Sequence, residues 1–367
     1  MKHELTLLYL GSDTAGDAIL RESLRRQAEE RGWCVIREQA IPGLDPDTPL
    51  ELERVLERPE RCLIMADEEN FALAGRILST LSKNPLELSA TGILAPASAS
   101  EVTARGYTLH YAESRISVVK RSSNDPYPEL PLEEPGGKVW HSFPATQNEE
   151  RKLLSDLKSL GEEELQWTRL LPGWIRIRAC GEERVPGVEA LLQRHTPRIF
   201  SRPTLVRAFI DYFSAMGKTL TFAESCTGGR LAAAITSESG SSAILEGSYV
   251  TYANRIKAGW LGVGESTLKT YGAVSAECVR KMARGAQHNL GADIAVAISG
   301  IAGPTGAVPG KPVGTVYFCV RNGEEERVER RRFCGDRNAV QEQAVRQALK
   351  MILESEEKIF EFFSKTS

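Results

Sequence analysis

The stretch TLTFAESCTGGRLAAAIT, residues 219–236, decides the fold. Residues 219–223 read as a strand and residues 228–236 as an alanine-rich helix, with Gly228 and Gly229 in the turn between them. The unit recurs downstream, with strands predicted at 248–252, 294–298, 314–320 and 327–333. Helices are predicted at 204–216, 256–261, 276–290 and 338–363. Ser275 stands where a helix cap belongs, and Glu277 lies in the first turn, where the helix dipole favours negative charge. Strands interleaved with helices predict an α/β fold, here a three-layer α/β/α domain over residues 202–367.

Upstream the pattern is less regular. Residues 5–10 and 61–65 read as strands, 34–38 as a short extended piece, and 18–31, 50–56 and 69–81 as helices, which predicts a smaller α/β domain with a parallel sheet over residues 1–165. The pattern weakens over 83–148, and the proline-rich piece 125–137 reads as loop. Residues 149–164 read as an exposed helix, 174–179 as a strand and 187–194 as a helix that Thr196 and Pro197 end. The piece 166–201 is a short linker or a small module, too short for a core of its own.

Composition excludes several classes. The 46 Lys and Arg nearly balance the 49 Asp and Glu, for a formal charge of -3, without the basic excess a nucleic-acid backbone calls for. No run reaches the roughly 20 apolar residues of a membrane span, and residues 1–10 lack the features of a signal peptide, so a cytoplasmic protein is expected. The seven cysteines form no CxxC pair and their number is odd, which fits reduced thiols and argues against a zinc site.

Three segments carry chemistry. In the turn 224–229, backbone N–H groups at a helix N-terminus can hold a phosphate or a developing oxyanion, with Ser225 at its mouth and Thr227, Gly228 and Gly229 around it. The plain alternative is a glycine turn with a hydroxyl cap. The GxxxxGK[ST] spacing of a P-loop is absent. The loop SGIAGPTG, 299–306, offers Ser299, Gly300, Gly303 and Thr305 beyond another strand, where ligands of open α/β sheets bind; a flexible connection is the alternative. In 252–257, Tyr252 ending a strand and Lys257 in the next helix can face one cleft, and a lysine buried near a helix N-terminus can act as a base. Taken singly, Lys257 reads as a surface lysine and Tyr252 as a packed aromatic. Only His288 of the five histidines lies beyond Thr204, which leaves a Ser-Lys or Ser-Tyr-Lys arrangement to activate Ser225. Cys226 is a rival nucleophile. Asp336 caps the last helix, and Arg337 beside it can contact an anion or serve the cap alone.

These segments, with Gly272 to Ser275, Lys311 to Val316 and Gly335 to Arg337, occur together and in order. The set closely resembles the C-terminal domain of the CinA family, named for a competence-damage inducible protein, over about residues 202–353. The resemblance implies hydrolysis of the carboxamide of nicotinamide mononucleotide (NMN) to nicotinate mononucleotide and ammonia. It implies Ser225, Tyr252 and Lys257 as catalytic residues, with no metal and no cofactor. Longer members of the family begin with a molybdopterin-binding-like α/β domain associated with ADP-ribose pyrophosphatase activity, followed by a KH-like module. Residues 1–165 resemble the first and 166–201 a remnant of the second. Where that domain's glycine-rich loop should follow Met65, this chain reads ADEEN, 66–70. Acidic side chains repel phosphate, so a degenerate domain without pyrophosphatase activity is expected. Two other readings stay open beside the NMN deamidase: a non-catalytic nucleotide-binding or interaction module, and an amidase for another small amide. The expected partner is a small-molecule nucleotide substrate. The apolar tail residues Ile359, Phe360, Phe362 and Phe363 either pack against another surface, a homo-oligomer partner included, or fray.

Overall fold

Two runs of alternating strands and helices each close on cores of their own. The computed structural model describes residues 4–31, 33–43, 46–56, 61–112, 114–122, 128, 137–159, 165–180 and 185–366. One unit holds residues 1–138, 162–165 and 179–186; the other holds 139–161, 166–178 and 187–367. Most of the predicted 125–137 loop lies outside the described residues.

The first unit runs β1 (Glu4–Leu10), α1 (Ser12–Gly16), α2 (Ala18–Glu30), β2 (Cys34–Ile41), α3 (Thr48–Leu56), β3 (Arg61–Ala66), α4 (Glu68–Ser82), β4 (Leu86–Leu88), β5 (Leu94–Pro96), β6 (Ser100–Thr103), β7 (Gly106–Tyr111) and β8 (Ser114–Lys120). Its main sheet has the order β2-β1-β3-β8-β7-β6. The apolar run of β1 is explained by burial on both faces: Leu8 and Leu10 meet α3 and α4, while Leu5, Leu7 and Tyr9 meet Leu20 and Leu24 of α2. The expected parallel sheet holds for β2, β1, β3 and β8; β7 and β6 add antiparallel strands. Those two come from the stretch where the pattern weakened, being short and diluted by serine, threonine and glycine. After β3, Asp67 caps α4, its carboxylate accepting from the Asn70 N–H at 3.0 Å.

The second unit continues with β9 (Gly137–Ser142), α5 (Gln147–Ser159), β10 (Leu165–Leu171), β11 (Trp174–Cys180), α6 (Val185–His195) and β12 (Ile199–Ser201), whose strands form a sheet of order β10-β11-β9-β12. Then follow α7 (Leu205–Met216), β13 (Leu220–Glu224), α8 (Arg230–Thr236), β14 (Leu245–Val250), α9 (Asn254–Leu261), α10 (Glu265–Tyr271) and α11 (Ala276–Leu290). The chain closes with β15 (Ile294–Gly300), β16 (Thr315–Asn322), β17 (Glu325–Arg332), α12 (Arg337–Glu354) and α13 (Lys358–Thr366). Helix α5 is not the wholly exposed helix expected, since Glu150, Leu153 and Leu157 are buried.

The larger sheet has the order β14-β13-β15-β16-β17, with β13, β14 and β15 parallel and the last two strands antiparallel. Alternation sorts its side chains by size. Phe222, Ile294, Val296, Ile298, Val316 and Phe318 face α7, α8 and α12, whereas Ala223, Ala295, Ala297 and Cys319 face α11. The small face lets helices lie close. This is the three-layer domain expected. The four-stranded sheet shares its core, because Phe143, Leu171, Trp174 and Phe200 belong to the same cluster as Phe209 and Ile352.

The closing helix is two helices rather than one. Between them Glu356 turns inward, accepting from Tyr212 Oη at 2.7 Å, Asn322 Nδ2 at 2.9 Å and the Lys218 ammonium. Helix α13 therefore folds back, and Phe360 and Phe363 pack on Phe143 and Phe200. The apolar tail thus packs on its own chain.

His141 of β9 is buried, stacked on Phe200 at 5.6 Å, and its Nδ1 accepts from Trp174 Nε1 at 3.1 Å. Burial, with the Arg176 charge nearby, pushes its pKa from the ordinary 6.5 down to about 3. Between those values the unfolded chain binds a proton that the folded one refuses. Stability therefore falls as pH drops below about 6.5, by up to about 1.4 kcal/mol per pH unit from this group. In His141→Gln, whose amide oxygen can still accept from Trp174, the urea midpoint followed by tryptophan fluorescence should change less between pH 7 and pH 5 than in the parent protein. An equal change in both would contradict the assignment.

Candidate functional site

Because β13, β14 and β15 are parallel neighbours, the loops that follow them open on one edge of the sheet. The Ser225 N–H donates to Ile298 O at 2.9 Å and the Thr251 N–H to Glu224 O at 2.8 Å, so the three chains stay in register past the last strand residue. Here lies a cavity of about 320 Å³ lined by Ser225, Tyr252, Lys257, Ser299, Gly300, Gly303, Thr305 and Arg337, together with Cys226, Asn254 and Gly306. Its volume suits a small organic ligand.

Lys257, in the first half of α9, is only 1% exposed. Its Nζ lies 3.0 Å from Ser225 Oγ, 2.6 Å from Thr251 O and 3.1 Å from Tyr252 O. Burial lowers its pKa from the usual 10.5. A neutral amine has two N–H donors and one lone pair. In the neutral form, with both donors on the two carbonyls, the lone pair faces the Ser225 hydroxyl. Cys226, beside the serine, is placed differently: burial pushes its thiol up to about 12, which disfavours it as the rival nucleophile.

The turn itself differs from expectation. Glu224 is fully buried, and its carboxylate accepts from the N–H groups of Gly229 at 3.0 Å, Leu231 at 3.1 Å and Ala232 at 3.0 Å. Ser248 Oγ adds a fourth bond at 3.3 Å. The Gly228 N–H closes on Ser225 O at 3.2 Å. The N-terminal amides of α8 are therefore occupied by the protein's own carboxylate. Thr227, Gly228 and Gly229 stand behind the cavity lining rather than in it. Positive φ angles of 63° and 97° at Gly228 and Gly229 make the turn possible. Of the turn, the N–H groups of Cys226 and Thr227 remain without a hydrogen bond to another residue among the described residues.

Tyr252 also departs from expectation. Strand β14 ends at Val250, so Tyr252 lies two residues beyond it, with a side chain 61% exposed. It meets Lys257 through its carbonyl, while its hydroxyl accepts from Arg337 Nη2 at 3.0 Å. Arg337 Nη1 donates to Gly303 O at 2.8 Å, which ties the head of α12 to the glycine loop. Ser299 spends its hydroxyl proton on Ala273 O at 2.7 Å and so offers the cavity lone pairs only. Sequence reasoning missed Glu224, although it stood in the quoted motif, and Gln341, whose Nε2 donates to Cys226 O at 2.6 Å from 115 residues away. No local signal marks that glutamine.

The described residues include no helix long and apolar enough to cross a membrane. The family model for the CinA C-terminal domain matches residues 203–355. The chain is 48% identical over 151 residues to the nicotinamide-nucleotide amidohydrolase PncC of Pseudomonas putida, a match covering 41% of this chain and 94% of that protein. It is 51% identical over 139 residues to the PncC of Escherichia coli K12, covering 38% of this chain and 84% of that one. A CinA-like protein of Syntrophotalea carbinolica is 41% identical over 177 residues, 46% of this chain but only 42% of that longer protein. The chain belongs to the CinA family.

Replacing Glu224 by Gln puts an NH2 group against N–H donors and leaves at least one buried amide unpaired. The variant should lose about 1–3 kcal/mol of stability, read as a lower urea midpoint. An unchanged midpoint would remove Glu224 as the anchor of α8.

Proposed function

We propose that this protein hydrolyses the carboxamide of NMN, giving nicotinate mononucleotide and ammonia, with Ser225 as nucleophile and Lys257 as its base. One observation carries the reading: the buried Lys257 amine, its donors taken by two carbonyls, faces the Ser225 hydroxyl at 3.0 Å. The names of the P. putida and E. coli relatives support the substrate.

In this reading the Ser225 proton passes to Lys257 Nζ as Oγ adds to the amide carbon. The N–H group of Cys226, a residue of the cavity lining, takes the oxyanion. The intermediate collapses, Lys257 returns the proton to the leaving nitrogen, and ammonia departs. Water, deprotonated by the neutral amine, then cleaves the acyl-serine to release the acid and restore Ser225. Arg337 keeps N–H donors beyond its two protein bonds and serves the substrate phosphate, with Thr305 beside it. Tyr252 holds Lys257 by its carbonyl and Arg337 by its hydroxyl, which joins the proton path to the phosphate end. Ser299, as an acceptor, suits the carboxamide NH2. Hydrolysis of another small amide shares these residues and differs in the ligand that fills the cavity.

In the first unit, Asp67 and Glu68 stand where a phosphate cradle would be needed, and we propose no ADP-ribose hydrolysis there.

The purified full chain should release ammonia from NMN, and Ser225→Ala and Lys257→Ala should each lower turnover at least about 1,000-fold while staying folded. No release from NMN alongside release from nicotinamide or another amide would favour the second reading. The base must be neutral, so kcat/KM should rise with pH through a midpoint below the ordinary lysine 10.5, and that limb should vanish in Lys257→Ala. ADP-ribose hydrolysis by the Ser225→Ala chain would overturn the proposal for the first unit.

A further inference from the structure

We infer that Asn254 is a specificity-determining residue: its side-chain amide receives the ribose hydroxyls of NMN and so selects a nucleotide over a bare pyridine carboxamide. This rests on the amide-hydrolysis reading above.

Asn254 is the first residue of α9, and the helix does not explain it. The cap of α9 is Ala253, and no side chain caps its first turn. Asparagine is a weak helix former inside a helix, and its usual service at a helix start is the cap position itself. The Asn254 side chain makes no hydrogen bond to another residue among the described residues, yet it is part of the cavity lining. Its donor and acceptor are both free for a ligand.

Residues 252–257 contribute one wall of the cavity, and that wall is fixed at both ends. At one end the Lys257 amine is 1% exposed and stands 3.0 Å from Ser225 Oγ. At the other the Tyr252 hydroxyl accepts from Arg337 Nη2 at 3.0 Å. Asn254 lies between them in the chain and is exposed where Lys257 is buried. It precedes Lys257 by three residues, a spacing that places two side chains on one face of a helix with Cβ atoms about 5–6 Å apart. Asn254 is therefore one helical turn above the amine, toward the open side of the cavity.

NMN carries its groups in a matching order: carboxamide, ring, ribose, phosphate. With the carboxamide carbon at Ser225 and the phosphate at Arg337, the ribose falls along the wall between them. Its two neighbouring hydroxyls each need a partner where the cavity displaces their water. Other lining residues are committed or have nothing to offer: Ser299 donates to Ala273 O, and the side chains of Ala273, Val274, Ile301 and Ala302 are apolar. An asparagine presents an acceptor oxygen and an NH2 donor side by side, a match for two neighbouring hydroxyls. Free nicotinamide has no ribose and gains nothing from this contact.

The test uses the full chain with NMN and its 2′,3′-dideoxy analogue as substrates, in the parent, in Asn254→Ala and in Asn254→Leu, which keeps the volume without the hydrogen bonds. Ammonia release by the parent should favour NMN over the analogue about tenfold in kcat/KM. In both variants KM for NMN should rise roughly tenfold with kcat within about twofold, the mark of binding that is equal in ground and transition states, and the preference for NMN should fall to about twofold or less. The melting temperature should hold, since the side chain supports nothing in the protein. Variants that keep the parental preference would overturn the inference. So would an equal loss on both substrates, which places the contact elsewhere on the ligand. A parent chain that releases ammonia from neither substrate nor from nicotinamide would instead remove the functional reading, and this inference with it.

Discussion

An amine taken out of water keeps its proton only at a cost, and the arrangement around Lys257 exploits that. The two carbonyls that hold it come from the residues just past β14, and that segment is pinned by the Thr251 N–H on Glu224 O. The depth of the amine depends on how closely α9 lies to the layer beneath. That distance is set by Gly285 of α11, where a methyl group would collide with the Leu261 carbonyl. The small side chains on the α11 face of the sheet, Ala223, Ala295 and Ala297, continue the same economy of volume. Thus the parity of the strands, large on one face and small on the other, reaches the chemistry through the depth at which one side chain is held.

The turn before α8 answers a second requirement. A helix N-terminus facing a cavity attracts anions, and a substrate phosphate bound there would leave its amide away from Ser225. Glu224 fills the position with a carboxylate from the strand end. In the function proposed above, the phosphate goes instead to Arg337.

Much of this was legible in the sequence. The glycine turn after β13, the lysine soon after β14 and the scarcity of histidine singled out Ser225 and Lys257, because strand ends and loops leave local signatures. The end of β14 was misplaced, because strand ends are the least reliable part of such a reading: Tyr252 and Lys257 do line one cavity, but with the strand ending at Val250 the phenol meets Arg337 rather than the lysine. Gln341 was illegible, since a glutamine in a long helix carries no sign of a contact far back in the chain. The short strands of the first unit escaped for a different reason. Three- and four-residue strands are too brief to show a period. The break between α12 and α13 rests on Glu356, whose inward turn depends on partners from α7 and β16.

Seven of the eight residues of β17 are charged, and it forms one border of the larger sheet. Several of those charges are paired within the unit, Arg327 with Glu354 at 2.7 Å and Glu326 with Arg321 at 2.8 Å. A foreign strand laid along this border would have to strip water from arginines and glutamates and replace partners they already have. The border is therefore closed to recruitment without being covered. The five-stranded sheet thus keeps the rim at the ends of its parallel strands open while, along the β17 side, it resists the stacking that exposed backbone invites.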